Sequence, residues 1–410
     1  MEQNNIIRKI TGAVLPPRLT PENSYALVLS GGGTRGAYEI GVWKALKELR
    51  VPIGGVCGTS IGAINGALFL TNTVKAIENI YLNIKMDDIV EVNDSVNREK
   101  DLMSPENIRA MVGKFLNQGG LSNQALANLI SSHVDVQKIY RSPIDFGLVT
   151  VDIKGLKPVE LFKDEIPPEK MHEYILSSAN FPIFKPVKSE EKALIDGGVY
   201  DNMPINMMIR RGFRKIIAVD IDGTGHFPPI TDPSVYVKRI AFTEDLGGVF
   251  EFSRDRIESN LKMGYFDALK AFRRVDGFFH YFTRVYFRKL LDYFDLETLR
   301  GIEKAAQLYK IDRYQLIKDD SFLKTVAAQH KEAVARYQAT KSTNWLTTLI
   351  QDPRRITEMI DDGIILGWAQ EQRDSAARIQ KNWLTDLMSD YFAAAKGMTE
   401  LENYLQEARE

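Results

Sequence analysis

The stretch Gly58-Thr59-Ser60-Ile61-Gly62 lies where an apolar run, Val51 to Val56, gives way to a run of small and apolar residues, Ala63 to Leu70. That change of pattern predicts a strand, a sharp turn and a helix. G-x-S-x-G at such a junction is the nucleophile-elbow pattern. A serine on the turn adopts strained backbone angles, and flanking glycines let two chain segments pass without a Cβ clash. Its hydroxyl then stands at a helix N-terminus, where the dipole and free N–H groups favour developing negative charge. Taken alone, the pentapeptide also fits an ordinary strand-to-helix turn. The segments on either side decide between the two readings.

Upstream, Tyr25-Ala-Leu-Val-Leu-Ser30 reads as a buried strand that runs into Gly31-Gly32-Gly33-Thr34-Arg35-Gly36. A helix is expected from Ala37 to Leu49, with Ile40, Val42, Trp43, Leu46 and Leu49 at helical spacing. Strand, glycine loop, helix, strand, elbow, helix makes a βαβα unit, so the fold class is α/β with a mainly parallel sheet. Downstream, Phe146–Ile153, Lys215–Ile221 and Ser234–Ile240 read as further strands, and Met171–Ala179 as a helix ending at Asn180-Phe-Pro182. Ala193-Leu-Ile-Asp196-Gly197-Gly198 reads as a short strand closed by a tight turn. Residues 72–142 show helical patterns broken by Asn, Asp and Ser.

Three glycine-rich turns thus follow strands of one sheet, and ligand sites in open α/β sheets lie at the carboxyl ends of the strands. Their residue types suit acyl transfer. Ser60 is the candidate nucleophile, with Gly58 and Gly62 as its elbow glycines. Turned N–H groups of Gly31, Gly32, Gly33, Thr34, Arg35 and Gly36 are candidates for an oxyanion hole, with Arg35 fixing the loop or adding positive potential. Asp196, on the turn with Gly197 and Gly198, is the candidate base if its carboxylate reaches the serine hydroxyl. A carboxylate with an ordinary pKa of ~4 is a weak base toward serine, so burial around Asp196 is expected.

The first loop also satisfies G-x-G-x-x-G through Gly31, Gly33 and Gly36. A dinucleotide site would need an acidic residue at the end of the second strand, where Cys57-Gly58-Thr59-Ser60 stands instead. A Walker-type phosphate loop fails as well, because no Gly-Lys-Ser/Thr follows.

Gly31–Gly36, Gly58–Gly62 and Asp196–Gly198, in this order and at roughly these spacings, resemble the patatin-like phospholipase family. The resemblance covers about residues 25–275 and includes Ile175-Leu-Ser-Ser-Ala-Asn-Phe-Pro182, Tyr200-Asp-Asn-Met-Pro204 and the segment Asn260–Phe272. It implies a three-layer α/β/α domain and a Ser60–Asp196 dyad with Gly31–Gly36 as oxyanion loop. The implied reaction is hydrolysis of carboxylic esters of glycerophospholipids through an acyl-serine intermediate, without metal or cofactor. Among the histidines that follow Asp196, His226, His280 and His330, His226 is the best placed to complete a triad instead. Two other functions stay open: a non-catalytic lipid-binding or regulatory protein on the same fold, and a soluble ester or thioester hydrolase.

Composition bounds the rest. The 410 residues are 44% hydrophobic and 26% charged, with a formal net charge of -1, which argues against a general nucleic-acid binder. The single cysteine, Cys57, excludes an intramolecular disulfide and fits a reducing compartment. Neither a signal-peptide apolar core near Met1 nor an apolar run of transmembrane length is present. The expected location is cytoplasmic, with peripheral membrane contact through an acyl-lipid substrate; the oligomeric state stays open. The expected organisation is an N-terminal arm (1–24), a catalytic domain (25–275) and an α-helical C-terminal region (276–410). In the last, the aromatic-dense segment Gly277–Phe294 reads as one helix with His280, Arg284, Arg288 and Asp292 at i+4 steps. It suits either a core helix or a lid that meets lipid. Trp345, Trp368 and Trp383 read as packing residues.

Overall fold

A computed structural model describes residues 19–90, 120–155, 157–189, 191–223, 225–340, 362–363, 365–367, 369–370 and 389–407. Most of the N-terminal arm, Trp345, Trp368 and Trp383 lie outside the described residues. The chain divides into two compact units, Met1–Ala271 and Phe272–Glu410.

The first unit is built on an eight-stranded sheet. In chain order its elements are β1 (Tyr25–Leu29), α1 (Ala37–Glu48), β2 (Ile53–Thr59), α2 (Ile61–Thr71), α3 (Val74–Asn83), α4 (Gln124–His133) and α5 (Val136–Arg141). There follow β3 (Asp145–Asp152), β4 (Lys157–Phe162), α6 (Met171–Ser178), β5 (Val187–Ser189), β6 (Lys192–Asp196), α7 (Ile205–Arg210), β7 (Lys215–Asp220), β8 (Tyr236–Ala241) and α8 (Arg254–Ala271). The strand order is β5-β6-β3-β2-β1-β7-β8, with β4 also paired to β3. β3, β2, β1, β7 and β8 run parallel, whereas β4 and β6 lie antiparallel to β3 and β5 antiparallel to β6.

Alternate residues of the central strands face opposite layers, as strand geometry requires. Ala26, Val28, Cys57, Ile216 and Ala218 share a core with Met207, Met208 and Phe213 at and beyond α7. On the other face α2 comes down closely through two glycines: a Cβ on Gly62 would strike the Leu29 backbone, and one on Gly66 would meet Val56 and Phe146. Helices therefore cover both faces, and the unit is a three-layer α/β/α sandwich with a mainly parallel sheet. α1 and α8 approach backbone to backbone at Gly41 and Gly264, and Tyr38 donates to Asp267 at 3.0 Å beside that crossing.

The second unit is mostly helical, but helical periodicity does not account for all of it. It contains a small three-stranded sheet of β9 (Val275–Asp276), β10 (Tyr281–Thr283) and β11 (Leu316–Ile317), in the order β11-β10-β9. Its helices include α9 (Arg284–Leu291), α10 (Leu296–Leu308), α11 (Ser321–Thr340) and α12 (Ser389–Glu407) among the described residues. The single helix expected over Gly277–Phe294 is not formed. Gly277 turns the chain at φ +116, and the Thr283 hydroxyl caps α9 by accepting from the Tyr286 N–H. Between them the amides of Phe278, Phe279 and His280 donate at 2.6–3.0 Å to the buried carboxylate of Glu303 on α10. That carboxylate satisfies three consecutive donors outside any helix. His280 is accordingly buried ahead of α9 and does not extend a polar stripe along it.

Candidate active site

β2 delivers Ser60 to the top of the sheet and α2 begins at the next residue. Ser60 has φ 56 and ψ -125, a left-handed conformation that costs a non-glycine residue about 1–3 kcal/mol. The surroundings hold it there: its N–H donates to the Ser178 hydroxyl at 3.1 Å, and its carbonyl receives the Ala63 N–H at 3.0 Å. A Cβ on Gly58 would collide with the Gly62 carbonyl, so the strand and the helix that leaves it pass only with glycine at position 58.

β3 brings Asp196 alongside. Over Asp145–Val149 it is parallel to β2, with Thr59 opposite Val149; from Thr150 onward it is antiparallel to β6, with Asp196 opposite Thr150. The residues preceding and forming the two candidate groups therefore register on consecutive positions of one strand. The Asp196 N–H donates to the Asn180 carbonyl at 2.9 Å, and its carboxylate accepts from the Gly198 N–H at 2.7 Å. Gly197 has no room for a side chain against the Val149 carbonyl. Burial pushes the Asp196 carboxyl up to about 6; hydrogen bonds from the Ser60 hydroxyl and the Gly198 amide hold it from rising further. A carboxylate of that basicity, in contact with a serine hydroxyl, is suited to proton transfer near neutral pH.

The first glycine loop closes the third side. Gly33 is left-handed at φ +61, and any Cβ there would strike the Val249 carbonyl. The Gly31 N–H is used by the Asn202 carbonyl at 3.2 Å and the Thr34 N–H by the Val249 carbonyl at 2.8 Å. Among the described residues, the Gly32 and Gly33 amides have no such partner. Arg35 does not face the site. It donates to the carbonyls of Gly247 at 2.7 Å and Asp222 at 2.5 Å and ties the loop to the segments beyond β7 and β8.

A cavity of about 280 Å³ opens over this constellation, lined by Gly31–Thr34, Ser60, Asp196, Gly198 and Asn202 together with an apolar wall. Ile61, Ile64, Ile84, Leu126, Phe181 and Phe250 contribute to that wall. Arg35, Gly36, Gly58, Gly62 and Gly197 support the site from outside the cavity, and His226 also lies outside it. His226 is exposed, joined to Gly198 and Asn202 through its backbone. Tyr81, on the wall, donates to Asn65 at 2.7 Å, which donates to Glu39 at 2.7 Å; burial drives the Glu39 carboxyl well above the usual range. Among the described residues no three His, Cys, Asp or Glu side chains cluster as a metal site.

Two contributors went unread in the sequence. Ser178 lies in the small-residue segment before Asp196 and Asn202 in the segment after it, but their partners are backbone groups far away in the chain. Residue type and spacing carry no mark of such bonds.

Residues 27–209 match the family described as patatin-like phospholipase. Patatin-like phospholipase domain-containing protein 7 of Rattus norvegicus is 26% identical over 207 residues, which are 50% of this chain and 14% of that protein. Patatin-like phospholipase domain-containing protein 6 of Homo sapiens is 28% identical over 222 residues, 53% of this chain and 14% of that protein. The chain thus spans a small part of the length of the curated relatives it matches. The crystal structure of VipD from Legionella pneumophila aligns at 15% identity and a TM-score of 0.40, over 92% of this chain and 90% of that one. By the family match and these relatives, residues 27–209 are similar to a patatin-like phospholipase domain.

Proposed function

We propose that this chain hydrolyses carboxylic esters of acyl lipids, phospholipase A or lysophospholipase in type, with Ser60 as nucleophile and Asp196 as base. The observation that carries the reading is that Ser60 and a buried Asp196 carboxylate line the same apolar cavity. As Ser60 Oγ bonds the ester carbonyl carbon, Asp196 accepts its proton and an electron pair moves to the carbonyl oxygen. The free amides of Gly32 and Gly33, with the first amides of α2, face that developing charge. Collapse breaks the bond to the alcohol, which leaves with the proton from Asp196. Water then adds to the acyl-serine ester as Asp196 again takes a proton; collapse breaks the acyl–Ser60 bond, the fatty acid leaves, and Asp196 returns the proton to Ser60 Oγ. The apolar wall suits an acyl chain, and the family match supports a lipid substrate.

Labelling with a fluorophosphonate tests the nucleophile, and fatty-acid release from mixed phospholipid vesicles tests the reaction. Wild type labels and releases fatty acid; Ser60→Ala does neither, and Asp196→Asn releases almost none. Folded wild-type protein that does neither would turn the assignment toward lipid binding without catalysis. Release that survives Asp196→Asn would place the base elsewhere.

A further inference from the structure

Two loops meet at the mouth of the cavity. Residues 197–204 follow Asp196, and residues 223–231 follow β7. The His226 N–H donates to the Gly198 carbonyl at 2.9 Å and the Asn202 N–H to the His226 carbonyl at 2.7 Å, so the loops are stitched into one rim. Val199 and Gly225 both line the cavity and reach solvent, so the two loops form one side of its mouth. Large apolar side chains stand outward here: Val199 is 49% exposed, Tyr200 38% and Phe227 41%. In a chain that is 26% charged, these two segments hold no Lys, Arg or Glu and one Asp, Asp201, which is buried.

We infer that Val199, Tyr200 and Phe227 form a docking rim that seats the cavity mouth on an uncharged or zwitterionic lipid surface. The inference rests on the acyl-lipid reading above and adds the surface through which substrate arrives. Exposed apolar side chains gathered around a cavity mouth mark a place of contact rather than scattered surface hydrophobes. Tyrosine and phenylalanine suit the boundary between head groups and chains, where an amphipathic or apolar ring exchanges water for lipid. Continuity with the apolar wall says what the partner offers: an acyl chain that passes from the lipid surface into the cavity without crossing water. The lack of lysines and arginines on the rim separates this mode from attraction to anionic lipid, which would need them and would weaken with salt.

The full-length chain allows a direct test. In Tyr200→Asp/Phe227→Asp, hydrolysis of phosphatidylcholine vesicles falls about tenfold or more, because two charges must now enter the interface. Cleavage of soluble p-nitrophenyl butyrate and fluorophosphonate labelling of Ser60 stay within about twofold, since neither side chain lines the cavity. Cys57 is the chain's single cysteine and is buried, so Phe227→Cys carries a polarity-sensitive dye at one place. That dye shifts to the blue on phosphatidylcholine vesicles at low and high salt alike, whereas a dye at Tyr236→Cys on β8 does not shift. Equal loss on both substrates, unchanged vesicle hydrolysis, or a shift that requires anionic lipid would each overturn the rim. Wild-type protein that labels no serine yet shows the blue shift would overturn the hydrolase reading and keep the rim.

Discussion

Asn202 takes both backbone polar groups of Gly31: its carbonyl accepts the Gly31 N–H at 3.2 Å, and its side-chain amide donates to the Gly31 carbonyl at 3.3 Å. One residue on the Asp196 side of the cavity thereby fixes the start of the glycine loop, whose next two amides are the proposed oxyanion donors. In Asn202→Ala the loop loses its side-chain anchor while the backbone pairing remains. Turnover is expected to fall about 10- to 100-fold with KM little changed, the pattern of a weakened oxyanion hole. Steady-state kinetics on a soluble ester, with circular dichroism as a control for folding, measure this. A rise in KM at constant kcat would instead give Asn202 a part in substrate binding alone.

With Asp196 as the proposed base, its carboxyl at about 6 gives the proposed reaction a pH dependence of definite direction. As base it must be ionised, so kcat/KM should rise through pH 6 and level off above it. The same shift acts on stability with the opposite sign. An unfolded Asp titrates near ~4, so the folded state holds the extra proton between ~4 and about 6, and stability falls as pH rises through that window. The difference of roughly two units corresponds to about 3 kcal/mol at most. Asp196→Asn should therefore melt higher than wild type at pH 7 and match it near pH 4, while losing activity. Thermal melts at both pH values decide this, and equal melting temperatures at pH 7 would contradict the burial argument.

The elbow glycines give a purely steric prediction. A Cβ on Gly62 meets the Leu29 carbonyl, which belongs to the central strand and cannot retreat. Gly62→Ala should cost about 1–3 kcal/mol or more by overpacking and misplace Ser60 with it. Urea denaturation and fluorophosphonate labelling are expected to decline together.

Much of this site was legible because its parts are punctuation. Gly58, Ser60 and Gly62, the loop Gly31–Gly36, and Asp196-Gly197-Gly198 are residue types whose backbone demands show in sequence. The parallel core was legible too, since β1, β2 and β7 are apolar runs buried on both faces. The antiparallel strands β4 and β5 were not, because they are short and carry polar residues. The segment Gly277–Phe294 misled for a different reason: the i+4 spacing of His280, Arg284, Arg288 and Asp292 is genuine, but Glu303 offers three of its amides a better acceptor from another helix. Spacing within a segment cannot report a partner outside it.

That carboxylate supplies a further test. Glu303→Gln keeps the shape of the side chain but replaces one acceptor oxygen with an NH2 group facing the amides of Phe278, Phe279 and His280. A loss of about 1–3 kcal/mol is expected, the cost of leaving buried donors poorly met. Amide exchange should quicken at those three residues first, and uniform exchange across the second unit would argue for a global effect instead.

The change of partners along β3 also sets a timetable for the nascent protein. Ser60 leaves the ribosome long before Asp196, and the two are joined only after β6 has added to the far end of β3 beyond its pairing with β2. Pairings so distant along the chain form late and slowly. On the proposed assignment, a half-made chain therefore carries the serine without its base, and the proposed hydrolysis waits until the sheet is complete.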